Sequence, residues 1–129
     1  MSIKSLFFGA LCLLTVAACH EHNHKDDVTA PVIMLENPVE GASLSGEVHV
    51  HGVVTDESLH EMEIKVTLDS DGSELLKTSP SVHNKSSYEF DAHFTPSVAV
   101  ESAVTLNITV WDHSDNSTTK TVKFTVKPQ

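Results

Sequence analysis

From Val28 onward the chain alternates apolar and polar positions with a period of two. Val48, Val50, Gly52 and Val54 alternate with His49, His51 and Val53. Met62, Ile64, Val66 and Leu68 alternate with Glu61, Glu63, Lys65 and Thr67. Tyr88, Phe90, Ala92 and Phe94 form a third apolar row, and Val104, Leu106, Ile108 and Val110 a fourth. Val122, Phe124 and Val126 form the last. Such alternation places one face of each strand in a core and the other in water. No stretch after Val28 carries a helical stripe.

The segments between these rows carry turn chemistry. Asn37-Pro38-Val39-Glu40-Gly41 follows a first strand, and Asp69-Ser70-Asp71-Gly72 follows the third; Asp-Gly favours the positive φ of a tight turn. Pro80 and Pro96 lie outside the alternating rows, where strand geometry tolerates them. The pattern predicts seven strands at 32–36, 47–54, 60–68, 73–78, 86–94, 103–111 and 119–127. Short strands at this spacing imply an all-β, antiparallel sandwich.

The head of the chain follows a different rule. Lys4 precedes an apolar run from Leu6 to Ala18 that ends in Val16-Ala17-Ala18-Cys19. The chain then turns polar at once with His20-Glu21-His22-Asn23-His24-Lys25-Asp26-Asp27. The run falls short of the roughly 20 apolar residues a spanning helix needs. It resembles a bacterial lipoprotein signal peptide, with a branched apolar residue and two small residues before the modified cysteine. The resemblance implies a signal peptide over 1–18, a multiply acylated Cys19 and a membrane anchor made of lipid. A histidine-rich flexible leash over 19–30 then leads to one sandwich domain over 31–129. With Cys12 removed and Cys19 lipidated, no thiol remains for a disulfide or a thiolate metal site. About a hundred residues can hold themselves by one core.

The formal net charge is −10, and loss of Lys4 with the signal takes it to −11. The chain contains no arginine and no basic stripe, which argues against nucleic acid as a partner. An acidic surface favours divalent cations, and it also keeps a membrane-tethered domain soluble.

Thr29-Ala30-Pro31 followed by Val32-Ile33-Met34-Leu35, then Pro38-Val39-Glu40-Gly41-Ala42, resembles the opening of bacterial immunoglobulin-like domains. Val48-x-Val50-x-Gly52-x-Val54-x-Asp56 and the closing Val110-Trp111-Asp112-His113-Ser114-Asp115-Asn116-Ser117 are similar to theirs as well. Asp115 stands where glycine is common in that turn. The chain also resembles a group of small envelope lipoproteins carrying one such domain. This likeness implies an immunoglobulin-like scaffold and leaves function open, because the fold hosts many roles.

The sandwich arranges the histidines. Strands 47–54 and 86–94 are neighbours in one sheet of such a fold, and 60–68, 103–111 and 119–127 belong to the other. His49 and His51 face outward if Val48 and Val50 face inward. Their spacing of roughly 6.6 Å along a strand lets two imidazoles converge on one ion. His93 and Asp91 face outward from the adjacent strand, so His49, His51, His93 and Asp91 form the first candidate metal site. Histidine is also an ordinary filler of a wet strand face, and a His-x-His pair alone is a weak signal. A second candidate arises where alternate loops gather at one end: Asp56, Glu57, His83, Asp112, His113 and Asp115. Asp and Asn in tight turns usually satisfy nearby backbone amides, which places this site behind the first. His20, His22 and His24 form a third candidate: alternate histidines in a leash read compositionally as metal-binding. All nine histidines lie in the mature chain. Mixed imidazole and carboxylate donors suit zinc or copper; calcium, which prefers oxygen donors, fits less well.

Trp111 has outward parity and is a candidate platform for a sugar or a protein. No HExxH, GxSxG or P-loop is present, so a non-enzymatic role is expected. Two classes of function follow. One is an accessory lipoprotein that binds zinc or copper for uptake or handover, working with an envelope transporter or receptor. The other is a metal-independent adhesion or assembly module that binds another envelope protein or a glycan. His20 after Cys19, with Glu21, Asp26 and Asp27 nearby, points to the outer membrane, on its periplasmic or its surface side.

Overall fold

A computed structural model describes residues 26–129 of the chain. Its strands are β1 (Val32–Asn37), β2 (Ser43–Leu44), β3 (Val48–Thr55), β4 (Leu59–Leu68), β5 (Glu74–Thr78), β6 (Ser87–Phe94), β7 (Ser102–Asp112) and β8 (Ser117–Val126). They form a three-stranded sheet, β1-β3-β6, and a five-stranded sheet, β2-β8-β7-β4-β5. The architecture is an immunoglobulin-like β-sandwich.

The alternating rows explain the packing. Val48, Val50, Val54 and Phe90 project from the smaller sheet and are buried. Ile64, Val66, Leu106, Ile108, Val122 and Phe124 meet them from the larger one. Removing these apolar side chains from water, at roughly 25 cal/mol per Å², is the main force holding the sheets together.

The edges add one strand and fix the place of another. The structure has eight strands, because β2 is an additional short element pairing in parallel with β8 through Ser43 and Thr125. The chain turns at Gly41, whose φ is 76°, and crosses to the second sheet. The strand predicted at 73–78 pairs with β4, so it belongs to the larger sheet. Only short stretches are involved at each edge, and period-two alternation does not say which neighbour a short strand chooses.

Asp27 and Thr29 lie against one end of the sandwich. Asn116 Nδ2 donates to the carbonyl of Asp27 at 2.8 Å. The amide of Thr29 donates to Asp27 Oδ1 at 2.9 Å. The β3–β4, β5–β6 and β7–β8 connections gather at this end, as the up-and-down order of the strands requires. Their backbones are joined there: Asp56 N donates to Ser86 O at 3.1 Å, and His113 N to Ser58 O at 3.2 Å.

Candidate metal centre

The site is built from a strand irregularity and two tight turns. On β4 and β7, Leu59 pairs with Asp112 and Glu61 with Trp111, which leaves His60 as an extra residue between them. Leu59 and Met62 are both buried although three positions separate them. Strict alternation back from Met62 would turn His60 into the core. The bulge instead turns it outward, as bulges commonly re-aim side chains.

His83 sits in the turn Val82–Lys85, closed by Lys85 N donating to Val82 O at 3.0 Å. Val82 is buried and anchors the loop. Asn84 takes the left-handed conformation, φ 61°, which asparagine tolerates better than most residues. Asn84 N donates to Leu59 O and Leu59 N to Lys85 O, both at 2.9 Å. The loop is thereby stitched to the start of β4, beside His60.

His113 opens the β7–β8 turn. Asp112, only 1% exposed, organises that turn. Its Oδ1 accepts from Ser114 N and Asn116 N, both at 2.8 Å, and its Oδ2 accepts from Asn116 Nδ2 at 2.7 Å. Burial alone would raise the Asp112 carboxyl, but the Asn116 side chain, the Asn116 and Ser114 amides and nearby His113 hold it below its ordinary value. Because His113 N also bonds Ser58 O, all three histidines are fixed relative to one short segment, Ser58–Leu59.

Together His60, His83 and His113 each offer a donor atom, with all three atoms within 4.8 Å of one another. Nδ1 of His60 lies 3.2 Å from Nδ1 of His83. Two nitrogens bound to one tetrahedral zinc at about 2.0–2.1 Å stand roughly 3.3 Å apart. The ring centroids are 5.3 Å apart for His60–His83, 4.5 Å for His60–His113 and 4.6 Å for His83–His113. The rings are tilted by 45–70° to one another, so they do not stack face to face. On the other side of the His60 ring, Nε2 lies 3.8 Å from Glu61 Oε1, where a carboxylate can steady a ligating imidazole. His60 and His83 also line a cleft of ≈ 420 Å³, whose walls include Glu61, Glu63, Pro80 and Trp111. The donor set fits zinc or copper.

The strand-face candidate is surrounded by carboxylates. The register does bring its members together: His49 pairs with His93, and His51 with Asp91. Their nitrogens, however, face carboxylates. His49 Nε2 meets Glu47 at 2.9 Å and its Nδ1 meets Asp91 at 3.3 Å. His93 Nδ1 is 3.6 Å from Glu47. His51 donates from Nε2 to Glu89 at 2.9 Å and from Nδ1 to Glu36 at 2.8 Å. These two bonds, Glu89 first and then Glu36, raise the His51 pKa above its ordinary value of 6.5. This face is an imidazole–carboxylate lattice across β1, β3 and β6.

The loop-end candidate divides. His83 and His113 join His60. Asp56 and Asp112 instead approach Asp27, with one oxygen of each within 4.8 Å. Those carboxylates carry turn amides: Ser58 N donates to Asp56 Oδ1 at 2.8 Å, and Asp112 is committed as described. Glu57 lines a separate cleft with Val32 and Thr55. Asp115 is an exposed turn residue with φ 63°, so the turn accommodates it in the position where glycine is common. Cys19, His20, His22 and His24 lie outside the described residues.

No family model matches the chain, and no curated protein does. Among solved structures it is similar to an engineered protein, with TM-score 0.55 and 14% identity over 74% of this chain. It spans only 20% of that protein's length. It is also similar to CopC from Methylosinus trichosporium OB3b, with TM-score 0.47 and 14% identity over 76% of this chain and 96% of that one. Murine CRIg aligns with TM-score 0.44 and 9% identity over 78% of this chain and 99% of that one. Identities of this size concern the fold alone.

Proposed function

We propose that this protein is an envelope lipoprotein that binds a divalent transition metal, zinc or copper, at His60, His83 and His113, as an accessory to metal uptake or handover. One observation carries the metal reading: three imidazoles from separate elements converge within ligand distance on a scaffold that fixes their backbones. Such preorganisation lowers the entropy lost on binding. Two of the three side chains are exposed, which suits exchange of the ion with a partner. Support for the anchor is Val16-Ala17-Ala18-Cys19 and the polar leash after it. The expected site is the outer membrane, with an envelope transporter or receptor as the exchange partner.

The test is calorimetric titration of the demetallated protein with zinc, copper and calcium. Submicromolar binding of zinc or copper at pH 7, lost in a His60→Ala/His83→Ala variant, supports the reading. Binding no tighter than about millimolar, roughly −4 kcal/mol, overturns it.

A second reading, an adhesion or assembly module, is favoured by one feature. Val32 and Met34 are 52% and 65% exposed on β1, an edge strand of the smaller sheet. An apolar edge can take a further strand from an envelope protein. A complex that survives chelation would favour this second reading.

A further inference from the structure

We propose that the cleft beside the imidazole cluster docks a basic segment of the exchange partner. A histidine of that segment supplies a fourth nitrogen to the ion held by His60, His83 and His113. A neighbouring lysine or arginine of the same segment lies against Glu61, Glu63 and Trp111. This inference rests on the metal reading above and names the chemistry of the partner.

His60, His83 and His113 supply three nitrogens, and a tetrahedral ion takes four donors. His60 and His83 both line the cleft, and their Nδ1 atoms stand 3.2 Å apart, so an ion between them borders it. At ≈ 420 Å³ the cleft falls in the size range of ligand pockets. His83 and His113 are exposed, which leaves the ion within reach of a second chain.

The cleft wall selects the sign of the charge that enters. Glu61 and Glu63 both lie in it, on either side of buried Met62 in β4. Glu61 Oε1 stands 3.8 Å from His60 Nε2, so a cation at Glu61 sits one imidazole away from the ion. Lys77 Nζ approaches Glu63 Oε2 at 4.0 Å from β5 and offsets part of its charge. Among the described residues, no lysine lines the cleft itself. Trp111 pairs with Glu61 across β4 and β7 and lines the same cleft, where its indole face attracts a cation. A ligand carrying a carboxylate meets repulsion here, and a neutral imidazole with a cationic neighbour meets attraction. The net charge of −10 extends that preference to longer range.

Ligation of this kind adds one lone pair to the ion and moves no proton, because imidazole binds metal as the free base. A partner with further donors can then replace the imidazoles of the cluster in turn, which is handover by stepwise exchange.

The experiment loads the full chain in detergent with one equivalent of cobalt(II), a spectroscopic stand-in for zinc. Three dipeptides, N-acetylated and C-amidated, are titrated at pH 7: lysyl-histidine, glutamyl-histidine and lysyl-alanine. Lysyl-histidine should shift the cobalt absorption bands and change the fluorescence of Trp111, the single tryptophan of the chain. It should bind roughly 10-fold more tightly than glutamyl-histidine, and Glu63→Gln should narrow that ratio to about 3-fold without changing cobalt affinity. Lysyl-alanine should leave the cobalt bands as they are. Equal affinity for the two histidine probes, or cobalt bands that neither of them shifts, would overturn the inference while leaving the metal reading intact. A chain that fails to bind cobalt, or that binds it equally well as His60→Ala, overturns both.

Discussion

Nδ1 of His60 stands 3.2 Å from Nδ1 of His83, although 23 positions separate them in the chain. That pair exists because a bulge turns His60 outward and because Leu59 exchanges two backbone bonds with the loop that carries His83. The metal site therefore depends on backbone stitching as much as on ligand identity. Replacing any one of His60, His83 or His113 by alanine should weaken zinc affinity by roughly 100-fold or more, beyond the effect of losing an outer partner. His49→Ala and His51→Ala should leave it unchanged. Parallel calorimetric titrations check both, and equal losses from the two sets would return the site to the strand face.

Asp112 links stability to the site. Its carboxyl accepts three bonds within the turn that His113 opens. Asp112→Ala should destabilise the fold by about 1–3 kcal/mol, because three part-buried donors lose their acceptor. It should also lower metal affinity through a loosened His113. Because folding lowers this pKa, the stabilisation is present above the ordinary carboxylate value, about 3.9, and is lost as pH falls through the folded value. Denaturant melts of wild type and variant should converge in strong acid, and parallel curves throughout would refute the linkage.

Gly52 packs where no side chain fits. It faces the core between β1 and β6, opposite Leu35 and Phe90. A Cβ there would collide with the backbone oxygen of Met34 and stand 2.7 Å from Phe90 Cζ. Gly52→Ala should therefore cost about 1–3 kcal/mol. At roughly 4–8 °C per kcal/mol, the fall in Tm is easily measured by calorimetry. An unchanged Tm would mean that β1 does not press on β3 as closely as described.

Much of this fold is written in the alternation of residues such as Val48, Val50 and Val54, since burial on one face leaves a period-two trace. The gathering of His83 and His113 at one end also follows from strand direction. His60 is hidden from the same logic, because even parity with Met62 assigns it to the core and a bulge shifts that parity by one. Leu59 and Met62, two apolar residues three apart before a strictly alternating row, are the trace of that bulge. The carboxylate partners of the strand histidines are hidden for another reason. Outward parity shows that His51 is accessible, but Glu36 and Glu89 take its nitrogens from neighbouring strands, and register decides that.

His51 should act as a pH-dependent clasp across β1, β3 and β6. Its pKa is raised by Glu89 and Glu36, so its contribution is complete below the ordinary imidazole value of 6.5 and fades as pH rises through the elevated folded value. Proton-detected titration should show the His51 ring losing its charge after a model imidazole does. In His51→Gln the alkaline fall in stability should flatten. A His51 ring that titrates at or below 6.5 would show the clasp to be open in solution.

Metal should stabilise the fold in a manner set by imidazole chemistry. An ion that binds the native site and not the unfolded chain adds about 2.7 kcal/mol at a hundredfold excess over Kd. For a domain of this size that is roughly 10–20 °C in Tm. Zinc and copper should both raise Tm at pH 7. Calcium should not, because the three donors at His60, His83 and His113 are nitrogens. Imidazoles bind metal only as free bases, so the shift should vanish near pH 5. The same acid leaves the His51 clasp intact, so loss of the metal shift at pH 5 reports the ligands and not a general weakening of the fold. Thermal melts at pH 5 and pH 7, with and without zinc, in wild type and His60→Ala, separate these effects. A zinc shift that persists in His60→Ala would assign the binding to another site of the folded domain.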